Sequence, residues 1–209
     1  MYDFSVEQYL AAVGTVVSPE FEAPIDLAVL RTFAHEVATE AVGPVLDAGC
    51  GPGRVTRFLA DAGLDICGVD FSSRMVAAAR SAHPHLQFDV GSLTHLQSPD
   101  RSLGGVVYWY SIIATPPAGL LPVWQESDRV LNGRGRILVA FQAGENDVVE
   151  RPNAYGSPWT LTLYRHRVDE VIGSLDRAGF EVVVDVRRKA AFPHETTPQA
   201  ILVARRRQA

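Results

Sequence analysis

Positive charge is scarce in this chain of 209 residues: 19 Lys and Arg stand against 24 Asp and Glu, a formal net charge of −5. That balance gives no general attraction to phosphate backbones or anionic lipid, so a nucleic-acid partner is not expected. Cysteine is scarcer. Cys50 and Cys67 are too few for a disulfide framework and fall where a glycine loop and a buried core are expected, which fits a reducing cytoplasm. No apolar run approaches the ~18 residues that span a membrane. The start carries Asp3 and Glu7 and lacks a cationic stretch followed by a long apolar one, so no secretory signal is expected. There is no internal repeat and no linker.

What is present is ordinary globular usage, 47% hydrophobic and 21% charged, in a length that one core can serve. A single domain is expected over 1–209. Residues 1–42 read as a helical extension, with Ile25, Val29, Phe33 and Val37 every four residues and Pro24 near a helix start. Strands are expected at 45–48, 66–69, 86–88, 106–110 and 136–141. Helices between them carry Val55, Phe58, Leu59 and Ala62, then Met75, Val76 and Ala79, then Leu120, Trp124, Val130 and Leu131. Residues 142–167 have turn composition and read as a loop or insertion. A last helical face, Val168, Val171, Ile172 and Leu175, stops at Gly179 before strands at 180–186 and 200–204. Strands alternating with helices predict an α/β fold with a mostly parallel, doubly wound sheet covered on both faces.

The informative segment is Val45-Leu46-Asp47-Ala48-Gly49-Cys50-Gly51-Pro52-Gly53, a strand entering a GxGxG turn and then a helix, with Asp70 at the end of the next strand. Glycines let the backbone approach a ligand closely, and Asp70 can accept both hydroxyls of a ribose. Spacing leaves two ligands open, because a nicotinamide dinucleotide uses a similar turn and acid. Charge separates them. A pyrophosphate beside the Asp47 carboxylate is unfavourable, whereas the ammonium and sulfonium of S-adenosylmethionine are favoured there.

These residues resemble the first motif of the class I S-adenosylmethionine-dependent methyltransferases. Gly68-Val69-Asp70-Phe71-Ser72-Ser73-Arg74-Met75 resembles the second, Phe88-Asp89-Val90-Gly91-Ser92-Leu93 the adenine-edge loop, and Val106-Val107-Tyr108-Trp109-Tyr110-Ser111 the strand bordering the acceptor. Leu131-Asn132-Gly133-Arg134-Gly135-Arg136-Ile137-Leu138 is similar to the segment leading into the fifth strand. The resemblance is strong over 44–141 and in outline over 168–204. It implies a Rossmann-like, seven-stranded mixed sheet whose last hairpin makes one strand antiparallel, with S-adenosyl-L-methionine as cofactor. The implied cofactor residues are Asp47, Gly49, Gly51, Gly53, Asp70, Phe71, Met75, Gly91, Ser92, Leu93 and Trp109, with Phe71 and Met75 packing on adenine. Ser92 stands where relatives often carry an acid, Gly104 where they often carry Asp, and Ala114 where they often carry His, which removes one candidate base.

The acceptor is expected to be a small molecule, enclosed by a lid at 1–42 and by 142–167 over a core at 43–141, with the closing helix and hairpin at 168–209. Tyr9, Tyr110, His166 and His194 are the candidate acceptor contacts; no catalytic base is assigned. Trp109 and Tyr110 end a central strand, so one of them is expected to face the cleft. His83-Pro84-His85 reads as a solvated turn rather than a metal site, and no metal is expected. Arg205 to Arg207 read as a solvated tail. The rival readings are a nicotinamide-dependent oxidoreductase and a non-catalytic cofactor- or partner-binding module.

Overall fold

The computed structural model describes residues 6–40, 43–156 and 158–207; the expected N-terminal extension therefore lies partly outside it, at 1–5 and 41–42. Within the described residues that extension is two helices, α1 (Val6–Val13) and α2 (Pro24–Glu40), joined by a connector at 14–23. Pro24 needs no N–H in a first turn, and Asp26 Oδ2 accepts the Ala23 N–H at 3.0 Å, satisfying a donor that has no intrahelical partner. The buried face of α2 is Val29, Leu30, Phe33, Ala34 and Val37, and Ile25, expected on it, is exposed. A four-residue spacing drifts off the 3.6-residue turn, and Leu30 and Ala34 take up the difference.

The core runs β1 (Val45–Ala48), α3 (Arg54–Asp61), β2 (Ile66–Asp70), α4 (Ser73–Ala82), β3 (Gln87–Val90), β4 (Leu103–Trp109), α5 (Leu120–Val130) and β5 (Leu131–Gln142). A hairpin, β6 (Asp147–Arg151) and β7 (Leu161–Arg165), precedes α6 (Val168–Arg177), β8 (Phe180–Arg188) and β9 (Gln199–Arg206). The main sheet has seven strands in the order β3-β2-β1-β4-β5-β9-β8. β1 to β5 pair in parallel, while β9 is antiparallel to both β5 and β8, as the resemblance implied.

Alternating strand residues feed two cores. Val106, Tyr108, Ile137 and Val139 pack with Trp124 of α5 and Leu175 of α6. Val45, Val107, Trp109 and Leu138 pack on the opposite face with Phe33 of α2 and Leu59 of α3. Trp124 is wholly buried and its indole N–H donates to Ser174 Oγ at 2.8 Å, a packing role as expected. Ser72 caps α4 by accepting the Met75 N–H.

Three elements differ from the sequence reading. The 142–167 segment is not merely a loop, since β6 and β7 form an antiparallel ladder from Asp147↔Arg165 to Arg151↔Leu161. Only Leu161 and Leu163 of that ribbon are buried, so β6 carries no apolar alternation to announce it. His83 is buried rather than solvated; its Nε2–H donates to the Thr15 carbonyl at 2.9 Å, and burial lowers its pKa. The arginines at 205–207 are not a free tail: Arg205 pairs with Glu181 at 3.2 Å, Arg206 with Asp128 and Arg207 with Asp176. No helix among the described residues is long and apolar enough to cross a membrane.

Candidate cofactor and acceptor site

The site is built where β1 and β2 end. Gly49, Gly51 and Gly53 all take positive φ, +81°, +53° and +82°, a backbone that side chains other than glycine rarely adopt. Their surroundings differ. A Cβ on Gly49 would stand 2.2 Å from Ser111 Cβ, and one on Gly53 would stand 2.8 Å from the Phe88 ring. A Cβ on Gly51 would meet nothing within 4 Å. Gly49 and Gly53 thus serve close packing, while Gly51 turns bare backbone toward open space.

Asp70, at the end of β2, fastens this loop. One carboxylate oxygen accepts the Gly51 N–H at 2.8 Å and the other accepts the Ser72 N–H at 2.8 Å. A carboxylate has about four acceptor sites, so both oxygens keep capacity for ribose hydroxyls. Asp47 lies beneath the loop, 1% exposed, and accepts the Thr56 hydroxyl at 2.7 Å. Burial raises its pKa from 3.8 to about 7, against the lowering effect of the Thr56 hydrogen bond.

Beyond Asp70, Phe71 is 83% exposed and offers its ring at the strand end, whereas Met75 is buried in α4. The Gly91 N–H donates to the Asp70 carbonyl at 3.0 Å, joining the loop after β3 to β2. Ser92 Oγ lies 3.1 Å from Thr94 Oγ1, and Leu93 packs partly buried against the core.

Trp109 ends β4 and Tyr110 follows it, their rings perpendicular with centroids 5.8 Å apart. Trp109 is 7% exposed and its indole N–H, though buried, has no hydrogen-bond partner. Tyr110 holds φ +57°, an uncommon backbone for an aromatic residue. Burial raises its phenol pKa, with Asp26, Arg188, Glu195 and Glu22 acting on it electrostatically.

Those charges form the wall that sequence reading missed. Arg188 pairs bidentately with Asp26, at 2.8 and 2.7 Å, and with Glu195, at 2.7 and 2.6 Å. Arg54 pairs with Glu22 at 2.7 Å. The fork of arginine on carboxylate fixes geometry as well as charge, and here it ties the connector and the start of α2 to the β8–β9 turn and the glycine loop. Phe21 continues this contact by packing on His194, which stacks on Phe192 at 5.3 Å.

The four acceptor candidates have different settings. Tyr9 of α1 sits among Arg54, Asp70 and Glu22, and burial pushes its phenol up to about 12. Its ring meets Tyr155 edge-on at 5.2 Å, while Glu7 pairs with Arg74, so α1 bridges α4 and the β6–β7 turn. Tyr110 lies by the Asp26–Arg188–Glu195 wall. His166 is 1% exposed; its Nε2–H donates to the Ile112 carbonyl at 3.2 Å, and burial lowers its pKa. His194 is exposed on the hairpin.

Comparison with known proteins agrees with this geometry. The family described as a methyltransferase domain matches residues 45–135. The demethylmenaquinone methyltransferase of Beutenbergia cavernae is 37% identical over 98 residues, 46% of this chain and 39% of that protein, so the chain spans well under two thirds of that relative. The N-demethylindolmycin N-methyltransferase of Streptomyces griseus is 28% identical over 205 residues, 82% of this chain and 83% of that protein. Among solved structures, the magnesium protoporphyrin IX methyltransferase of Synechocystis PCC 6803 with bound S-adenosylmethionine shares the fold, with a TM-score of 0.69 and 19% identity over 99% of this chain and 94% of that one. Motif order, sheet order and the Asp70-clamped glycine loop converge with these likenesses: over residues 45–135 the chain is similar to the methyltransferase-domain family, and its fold is that of the solved methyltransferases.

Proposed function

We propose that this chain transfers the methyl group of S-adenosyl-L-methionine to a small-molecule acceptor, held over the end of β4 beneath α1 and the 14–23 connector and beside the 142–167 segment. The observation that carries the reading is Gly51, whose backbone faces open space while Asp70 clamps it to β2. The bound cofactor would bring a methyl already made electrophilic by its sulfonium. The protein's part is then to hold the acceptor in line, and orientation of this kind supplies on the order of 7 to 11 kcal/mol.

Tyr9 and Tyr110, their pKa values raised by burial, stay protonated at neutral pH and donate hydrogen bonds rather than take protons. His166 is held by Ile112. Acceptors that are nucleophilic at neutral pH without first losing a proton are therefore the expected class. The acceptors in the names of the two curated relatives, demethylmenaquinone and N-demethylindolmycin, favour a small molecule. The pairing of Arg205 to Arg207 argues against nucleic acid. The free thiols of Cys50 and Cys67 favour a cytoplasmic setting.

Calorimetry tests the reading directly: S-adenosylmethionine and S-adenosylhomocysteine should bind and NADH should not. Binding of NADH alone would return the oxidoreductase reading. A small-metabolite screen for S-adenosylhomocysteine release then identifies the acceptor.

Asp47 gives this binding a pH signature. Because its folded pKa is raised, its contribution to stability is fully present below the unfolded value and is lost as pH climbs through about 7. A cationic ligand favours the ionised form, so affinity for S-adenosylmethionine is expected to rise up to about tenfold between pH 6 and 8. S-adenosylhomocysteine, without the sulfonium, should respond less, and Asp47→Asn should flatten the curve. A pH profile shared by wild type and Asp47→Asn would show that the carboxylate takes no part.

The lid has its own test. Deleting residues 1–17 removes Tyr9 and the pairing of Glu7 with Arg74. Turnover is expected to fall with cofactor binding mostly retained; unchanged turnover would refute an enclosing role.

A further inference from the structure

Arg54 immediately follows the glycine loop and opens α3, with its side chain only 11% exposed. One terminal nitrogen pairs with Glu22, and Glu22 is itself fixed by the Ser18 N–H, which it accepts at 3.1 Å. The other, Nη1, is buried without a hydrogen-bond partner. A guanidinium is a rigid fork of donors suited to a carboxylate, and a buried donor left idle is costly. Among the described residues no carboxylate supplies that second partner. Asp47 is engaged by Thr56, Asp70 by the Gly51 and Ser72 N–H groups, and Glu22 by the first nitrogen and by Ser18.

Two more buried polar atoms lack partners at the same end of the sheet. Trp109 Nε1 belongs to the β4 face that Asp47 shares, since Asp47 pairs in register with Val107, and Ser111 Oγ stands against Gly49. Arg54 and Trp109 can only donate, and the serine can do so as well. Arg54 Nη1 and Ser111 Oγ, idle beside one loop, call for an anion with several acceptor sites.

We propose that Arg54 Nη1 holds a carboxylate, that of the amino-acid part of the cofactor, while Glu22 holds the other side of the guanidinium. This rests on the methyltransferase reading above. An acceptor could also bring a carboxylate, but a donor that begins the helix directly after Gly53 is placed for the ligand lying on that loop. It follows that cofactor binding and the seating of the connector meet at one side chain, because Glu22 belongs to the connector and Arg54 to the core.

The test compares S-adenosylhomocysteine with 5′-methylthioadenosine, which lacks the amino-acid part, by calorimetry on the full chain. Arg54→Met is expected to weaken S-adenosylhomocysteine roughly 10- to 100-fold, the effect of losing hydrogen bonds to a charged group, and to leave methylthioadenosine unchanged. Retained methylthioadenosine binding also shows that the fold persists. Equal weakening of both ligands, or of neither, overturns the proposal. Failure of the wild type to bind either one would instead strike at the methyltransferase reading. Should Arg54→Met not fold with Glu22 left unpaired, Arg54→Lys keeps a charge for Glu22 without the fork. A smaller but still selective loss is expected from it, and an unselective loss overturns the proposal equally.

Discussion

Asp70→Ala is expected to weaken S-adenosylhomocysteine binding by about 1.5 to 3 kcal/mol for each charge-assisted hydrogen bond to the ribose, more than a tenfold loss. The structure adds a second cost. The same carboxylate accepts the Gly51 and Ser72 N–H groups at 2.8 Å each, so alanine also loosens the glycine loop. Asp70→Asn keeps one acceptor oxygen and should fall between. Calorimetry paired with thermal melting separates the two costs, and an affinity unchanged in a folded Asp70→Ala protein would remove Asp70 from the site.

Gly51→Val is expected to abolish cofactor binding within the range calorimetry can read while the protein still folds. Its Cβ would meet no protein atom within 4 Å, so the price inside the fold is the φ of +53°, about 1 to 2 kcal/mol for an L-residue. The branched side chain would instead fill the space in front of the loop. Gly49→Ala makes the opposite case. There the new methyl would lie 2.2 Å from Ser111 Cβ, and loss of folding stability should come first. A Gly51→Val protein that binds normally would mean that the loop is only a turn.

The contrast between these two glycines shows what could be read in advance. Spacing marked Gly49, Gly51 and Gly53 alike, because all three need the same backbone freedom; which of them faces a ligand depends on Ser111 and Phe88, which come from distant parts of the chain. Strands β1 and β2 were legible because a short buried run between turn residues has few alternatives. β6 was not, since a ribbon with little burial leaves no pattern. The charged wall was invisible for a related reason: Asp26 and Arg188 lie 162 residues apart, and nothing local to either announces the other. Thr56 and Arg54 sat next to the motif, and the buried side of a helix that starts at a ligand loop is where such partners could have been sought.

β9 is placed between β5 and β8, and Gln199 to Ala204 are buried along it. During synthesis the cofactor half of the sheet, β1 to β5, can form while the edge at Ile137 to Phe141 stays open, and β8 emerges before the strand it pairs with. Pairing that waits on distant chain is slow and leaves strand edges exposed to neighbouring molecules. Until β9 is in place the Ile137 to Phe141 edge has no partner, and an unpaired edge of that kind is where self-association competes with folding.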